Sequence, residues 1–139
     1  MLIGPDLLDP RSARIDTFHE FRHNLLRAGL EDRVIPVVAP STRFAACFTG
    51  SLGLVFIDGG HSLDAALADY RAWSAHLAPG GLLAIHDVYP DAAKGGQAPI
   101  TVYRLALASG LFREEDSVGS LRVLRRRVGL RATRSPANW

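Results

Sequence analysis

Leu52-Gly-Leu-Val-Phe-Ile-Asp-Gly-Gly-His61, a helical stretch, and then Leu77-Ala-Pro-Gly-Gly-Leu-Leu-Ala-Ile-His-Asp-Val88 decide how this chain is read. Leu54–Ile57 is apolar at every position, as a strand covered on both faces would be. Ser62 is a natural helix cap, and Leu63, Leu67, Tyr70, Trp73 or Ser74, and Leu77 fall on one helical stripe. Pro79-Gly80-Gly81 ends that helix and turns into the strand Leu82–Ile85. Both strands end in an acidic residue beside a histidine. In an open parallel sheet the two ends face one crevice, where such folds bind ligands. Asp58, His61, His86 and Asp87 therefore form one candidate site.

Outward from this unit, Tyr89–Pro99 is a loop long enough to act as a lid. A helix from Ile100 to Ser109 stops at Gly110, and Phe112–Val118 with Leu121–Arg126 read as a hairpin turning at Gly119-Ser120. Toward the N-terminus, Pro5–Ile15 carries turn formers and no period. Thr17-Phe18-His19-Glu20 has capping-box spacing, and Phe18, Phe21, Leu25 and Leu26 follow at helical spacing up to Gly29. Val34–Val38 reads as a short strand, and Thr42–Phe48 as a short helix capped by Ser41 and ending at Gly50. Strands alternating with helices predict an α/β fold with a mostly parallel sheet and a C-terminal antiparallel hairpin. No repeat or domain linker interrupts the pattern.

Composition sets the outer limits. The 139 residues are 47% hydrophobic and 22% charged, which fits one globular domain. No apolar run reaches the 18 or so residues of a membrane span. With no export signal and a single Cys47, the expectation is a cytoplasmic protein without internal disulfides. The net charge of +2 hides an asymmetry: residues 1–121 hold ten basic and fourteen acidic groups, a net of −4, and six arginines follow from Arg122 to Arg134. A nucleic-acid binder would spread its basic groups over a face with interleaved aromatics, so no nucleic-acid partner is expected.

Several chemistries are open to the candidate residues. Asp58, followed by two glycines that permit close approach, can bind a metal, orient a hydroxyl, or cap the following loop. His61 can act as a general base or as a capping residue. His86 and Asp87, with Asp58, offer two carboxylates and an imidazole. Mg²⁺ prefers oxygen donors, so the imidazole suits Mn²⁺, Fe²⁺ or Zn²⁺ better. His19-Glu20-Phe21-Arg22-His23 has the zinc-hydrolase spacing, two histidines four apart on one helix face. However, no third ligand is obvious downstream, and Glu20 has a role in the capping box. No G-x-S-x-G, P-loop or G-x-G-x-x-G is present.

Leu54-Val-Phe-Ile-Asp-Gly-Gly-His61, Asp69, Trp73, Leu77-Ala-Pro-Gly-Gly81 and Ile85-His-Asp-Val88 resemble the class I S-adenosylmethionine-dependent methyltransferases, in particular the small-molecule O-methyltransferase-like branch. The resemblance extends from about Asp6 to Arg126. It implies a Rossmann-like sheet of order 3-2-1-4-5-7-6, with strand 7 antiparallel. Val34–Val38, Leu54–Ile57 and Leu82–Ile85 would then correspond to strands 3, 4 and 5. It further implies residues 1–126 as a partial methyltransferase domain, and the arginines running into Ser135-Pro136-Ala137-Asn138-Trp139 predict a basic, disordered tail over 127–139.

The departure from the family lies at the start. The Gly-rich first strand and the second strand with its ribose-binding acid have no counterpart, so the domain is expected to lack strands 1 and 2. A weaker mapping makes Met1–Ile3 a stub of strand 2 and Asp6 the ribose acid. Two missing strands would leave a gap of about 14 Å in the sheet, with edges that folded proteins avoid exposing. Strand 3 could move to pair with strand 4, a second copy of the chain could complete the sheet, or the sequence could be a fragment of a longer protein.

The resemblance implies methyl transfer from S-adenosylmethionine to a small-molecule acceptor, at an oxygen. Ser41 and Asp58-Gly59 would lie near the adenine and methionine ends of the cofactor. His61 would take the acceptor proton, or a divalent ion (Mg²⁺ or Mn²⁺) on Asp58, Asp87 and His86 would lower its pKa. Two alternatives stay open: a non-catalytic methyltransferase-like domain, dimeric or not, and a zinc hydrolase using His19, Glu20 and His23.

Overall fold

The computed structural model describes residues 8–9, 14–15, 17–59 and 62–129. The chain divides into two units, Met1–Val38 and Ala39–Trp139.

In the first unit, β1 (Leu8–Asp9) pairs antiparallel with β2 (Arg14–Ile15). Helix α1 (Phe18–Ala28) follows, and none of its residues is buried. Gly29 ends it at φ +62°, where a missing Cβ removes the steric cost, and Leu30 N–H returns to Leu25 C=O at 3.0 Å. The expected capping box does not form. Thr17 sits at φ −98° and ψ 1°, outside the extended conformation that aims a cap hydroxyl at the helix amides, and its side chain makes no cap bond. Val34–Val38 is not a strand either: it pairs with nothing among the described residues. Pro36 removes a ladder donor from its middle, and Ile35 and Val38 stand 87% and 78% exposed.

The second unit opens with α2 (Ser41–Cys47), whose N-cap is Pro40; Ser41 is already inside the helix and caps nothing. Then come β3 (Leu52–Ile57), α3 (Leu63–Ser74), β4 (Leu77–Ile85), α4 (Ala98–Ala108), β5 (Phe112–Val118) and β6 (Leu121–Arg126). Ser62 caps α3 as expected, accepting Ala65 N–H at 3.2 Å. The four long strands form one sheet of order β3-β4-β6-β5. The β3–β4 pair is parallel, and β6 runs antiparallel to both of its neighbours. Three strands thus share one direction, and β6 is the reversed one. This arrangement corresponds to the 4-5-7-6 half of the order that the resemblance implies. No strand pairs with the outer edge of β3 among the described residues.

Strand β4 starts at Leu77 rather than Leu82, so Pro79-Gly80-Gly81 lies within it. The pairing slips between Leu52 and Leu54 to accommodate those residues. Gly81 fits tightly there: a Cβ would stand 3.0 Å from Ala78 C=O and 3.1 Å from Leu52 C=O. The buried core is centred on Leu83, Ile85 and Leu124 of the sheet, packed by Ala66 and Tyr70 of α3 and by Val102 and Ala106 of α4. Val55 and Ile57 join it from one face of β3. Leu54 and Phe56, on the opposite face, are half-exposed, so β3 is not covered on both sides as its composition suggests.

Three of the C-terminal arginines belong to this framework. Arg126 donates to the carbonyls of Ser74, Ala75 and Leu77, satisfying the end of α3 where cations are favoured. Arg125 donates to Gly80 C=O at 2.9 Å, and Arg122 to Gly119 C=O at 2.8 Å. Arg131 and Arg134 lie outside the described residues.

Candidate functional site

Register sets the site. Ile57 pairs with Ile85 at the end of the parallel pair, which brings the next residues, Asp58 and His86, side by side. His86 N–H continues the ladder to Ile57 C=O at 3.1 Å. Its ring nitrogen Nδ1 lies 3.0 Å from Asp58 Oδ1 and 3.3 Å from Asp87 Oδ1. With a proton on Nδ1, the imidazole donates to Asp58, and Nε2 is left with its lone pair. All three side chains are between one third and one half exposed, so ligands can reach them.

Asp87 holds an unusual backbone. At φ +57° it is the one non-glycine residue with positive φ among the described residues, a conformation that L side chains adopt at a cost. It is held there from both sides. His86 is fixed in the β3–β4 ladder, while the fully buried Val88 donates its N–H to Ser120 C=O at 2.9 Å. The reversal turns the Asp87 carboxylate back toward His86, and Tyr89 Oη donates to it at 3.5 Å.

One ligand atom from each of Asp58, His86 and Asp87 lies within 4.8 Å of the other two. In the other tautomer, with the proton on Nε2 and the Nδ1 lone pair free, the spacings of 3.0 Å and 3.3 Å from Nδ1 match those of neighbouring ligands on an octahedral ion with bonds of about 2.1 Å. Two hard oxygens and one imidazole favour Mn²⁺ over Mg²⁺. Among the described residues this is the group of three that converges in this way. His19 and His23 gather no third ligand atom on α1, and with Arg22, Leu26 and Glu31 they line a shallow depression instead.

Beside the cluster lies a cavity of about 500 Å³, bounded by Ser41, Leu54, Phe56, Asp58, Asp69 and Trp73, with Gly59 also in its wall. Its lining holds two carboxylates and no basic side chain. Trp73 Nε1–H donates to Ser41 Oγ at 2.8 Å, which explains why Ser41 is not used as a cap. Phe44, Phe48 and His76 surround the indole with ring centroids 5.6–5.8 Å away, and His76 Nε2 bonds Ala45 C=O at 3.0 Å. The wall of the cavity is thus fixed by α2 packed on α3. Gly59 lies under Asp69: a Cβ there would meet Asp69 Oδ2 at 3.1 Å.

The segment 89–97 is closed on itself. Gln97 Nε2 donates to Tyr89 C=O and Gly95 C=O, both at 3.3 Å, and the Tyr89 ring packs where a side chain on Gly95 would go.

The structure brings together Asp58, His86 and Asp87 as the sequence predicts, and sets Ser41 and Gly59 in the adjoining cavity. His61, the candidate base, lies outside the described residues, as do Gly60, Asp6 and Met1–Ile3. Sequence reasoning assigned no role to Asp69 and placed Trp73 in the buried stripe. Their four-residue spacing, which puts both on one face of α3, was the available signal. Residues 6–88, more than half of the chain, match a family profile described as a methyltransferase domain.

Proposed function

The chain belongs to the methyltransferase-domain family, and from that premise we propose that it transfers the methyl group of S-adenosylmethionine to an oxygen of a small-molecule acceptor. The observation that carries this reading is the cavity of about 500 Å³ beside Asp58, His86 and Asp87, acidic in its lining and free of basic side chains. S-adenosylmethionine bears a sulfonium and an ammonium group, and two carboxylates in a concave, partly apolar wall favour such a ligand.

The cofactor supplies an electrophilic methyl group. In the displacement a lone pair of the acceptor oxygen forms the new O–C bond, the S–C bond breaks with its electron pair left on sulfur, and the acceptor hydroxyl proton must leave. The protein's task is alignment and proton removal. Asp58 places a carboxylate in the wall of the cavity, and its 3.0 Å hydrogen bond to His86 fixes that ring, with Asp87 Oδ1 3.3 Å from the same nitrogen. His61 is the candidate that would take the acceptor proton, as the resemblance implies. Asp58, His86 and Asp87 would hold a divalent ion, whose chemistry there is to lower the pKa of an acceptor hydroxyl.

Titration calorimetry of the full chain with S-adenosylmethionine tests the reading. Binding in the micromolar range supports it. Absence of heat at millimolar ligand would favour the non-catalytic alternative.

A further inference from the structure

The Asp87 carboxylate is turned toward His86 by a backbone at φ +57°, a conformation that surrounding contacts must sustain. Its Oδ1 faces two groups, His86 Nδ1 at 3.3 Å and the Tyr89 hydroxyl at 3.5 Å. The two are not equivalent toward a metal ion. A ligating Nδ1 presents its lone pair, so it no longer donates to either carboxylate. Among the described residues, the Tyr89 hydroxyl is then the one donor left to Asp87. That hydroxyl is itself held. The Tyr89 ring lies over the bare Cα of Gly95, where a Cβ would stand 3.0 Å or less from three ring atoms. Gln97 Nε2 donates to Tyr89 C=O and to Gly95 C=O, both at 3.3 Å, and so ties the two ends of the loop together. Gln97 C=O in turn accepts from Thr101 N–H at 3.2 Å and from Thr101 Oγ1–H at 2.8 Å, which fastens this clasp to the first turn of α4.

We infer that Tyr89 is a positioning residue for the candidate metal centre. Its hydroxyl restrains rotation of the Asp87 carboxylate and keeps Oδ1 directed at His86, and the clasp of Gly95 and Gln97 keeps the hydroxyl in reach. The segment 89–97 is thereby a brace for one metal ligand. Hydrogen bonds that orient a ligand in this way are worth about 10–100-fold in metal affinity. Tyr89 is not among the residues that line the cavity of about 500 Å³, so its effect falls on the ion and not on S-adenosylmethionine. This inference rests on the metal site proposed above and adds to it the group that orients one of its ligands.

Titration of the full chain with Mn²⁺, followed by the electron spin resonance signal of the free ion, tests it. Tyr89→Phe keeps the ring on Gly95 and removes the hydroxyl alone. It should weaken Mn²⁺ binding about tenfold or more. The thermal midpoint of the ion-free chain, and its affinity for S-adenosylmethionine measured without metal, should stay those of the wild type. Gly95→Ala, which drives the ring from its seat, should weaken Mn²⁺ to a similar extent. Wild-type affinity for Mn²⁺ in Tyr89→Phe would overturn the inference and leave the metal site intact. So would a Tyr89→Phe chain that loses Mn²⁺, S-adenosylmethionine and thermal stability together, because the ring would then serve the strand end as a whole. No Mn²⁺ binding by the wild type at millimolar concentration would overturn the metal site itself, and this inference with it.

Discussion

His86 Nδ1 stands 3.0 Å from Asp58 Oδ1, one residue beyond the last rung of the parallel pair that their strands form. Neither side chain would be placed by its own strand alone. The register Ile57–Ile85 sets them opposite each other, so the site depends on the sheet and the sheet on the buried runs that precede it.

Replacing Asp58 by asparagine keeps the shape and removes one charge. Because Asp58 is half-exposed, the thermal midpoint is expected to move little. Methyl transfer into a panel of hydroxylated small molecules, followed with methyl-labelled cofactor, should fall by about 100-fold or more. Unchanged transfer would remove Asp58 from the mechanism.

Manganese should stabilise the chain. An ion bound only by the folded form contributes about 2.7 kcal/mol at one hundred times its Kd. Thermal melts with manganese and then with EDTA should show a midpoint that rises and returns. Asp87→Asn should abolish most of the shift, and a shift of equal size in that variant would place the ion elsewhere.

Asp87 at φ +57° costs stability in exchange for the direction of its carboxylate. Asp87→Gly is therefore expected to leave urea stability unchanged or raise it by about 1 kcal/mol while impairing transfer. Asp87→Val, branched at Cβ, should lose stability instead. The same loss in both variants would contradict strain at this position.

Gly81→Ala pushes a Cβ against backbone oxygens of Ala78 and Leu52 that cannot turn aside. A loss of about 1–3 kcal/mol in urea unfolding is expected, since these backbone oxygens must shift to admit the methyl group.

Glu115 accepts from Arg125 at 2.8 Å and pairs with Arg113 at 2.9 Å, and the Arg125 hydrogen bond holds its carboxyl below the usual carboxylate range. A folded-state pKa below the unfolded one adds stability above the unfolded value, and this is lost as the pH falls through the folded value. Relative to Glu115→Gln, the wild type should show a slightly higher urea midpoint at neutral pH and no advantage in strong acid. As the pair is exposed, molar salt should erase the difference.

What the sequence revealed follows from which signals are local. The Leu54–Ile57 and Leu82–Ile85 runs read as strands by composition alone, although one face of the first is half-exposed, and Gly119-Ser120 marks a hairpin. For that reason Asp58, His86 and Asp87 were legible as neighbours. Val34–Val38 has equally apolar, β-branched residues, but a strand also needs a partner, and residue composition does not supply one. Ser41 precedes a helix like any cap. Its actual role came from Trp73, 32 positions away, a contact that only the packing of α2 on α3 creates. Asp69 enters the sequence reading only through the resemblance, with no role of its own, for a related reason: a carboxylate within a helix looks solvated until the facing turn, Gly59 here, is known.

Trp73 lines the cavity, so its fluorescence, recorded in a Trp139→Phe background that leaves it the one indole of the chain, tests the central claim. Titration with S-adenosylmethionine should change the emission saturably in the micromolar range, and Asp58→Asn should weaken that response at least about tenfold. Emission that stays flat to millimolar cofactor, or an identical curve in the variant, would contradict the assignment of this strand-end cluster and its cavity as the methyl-transfer site.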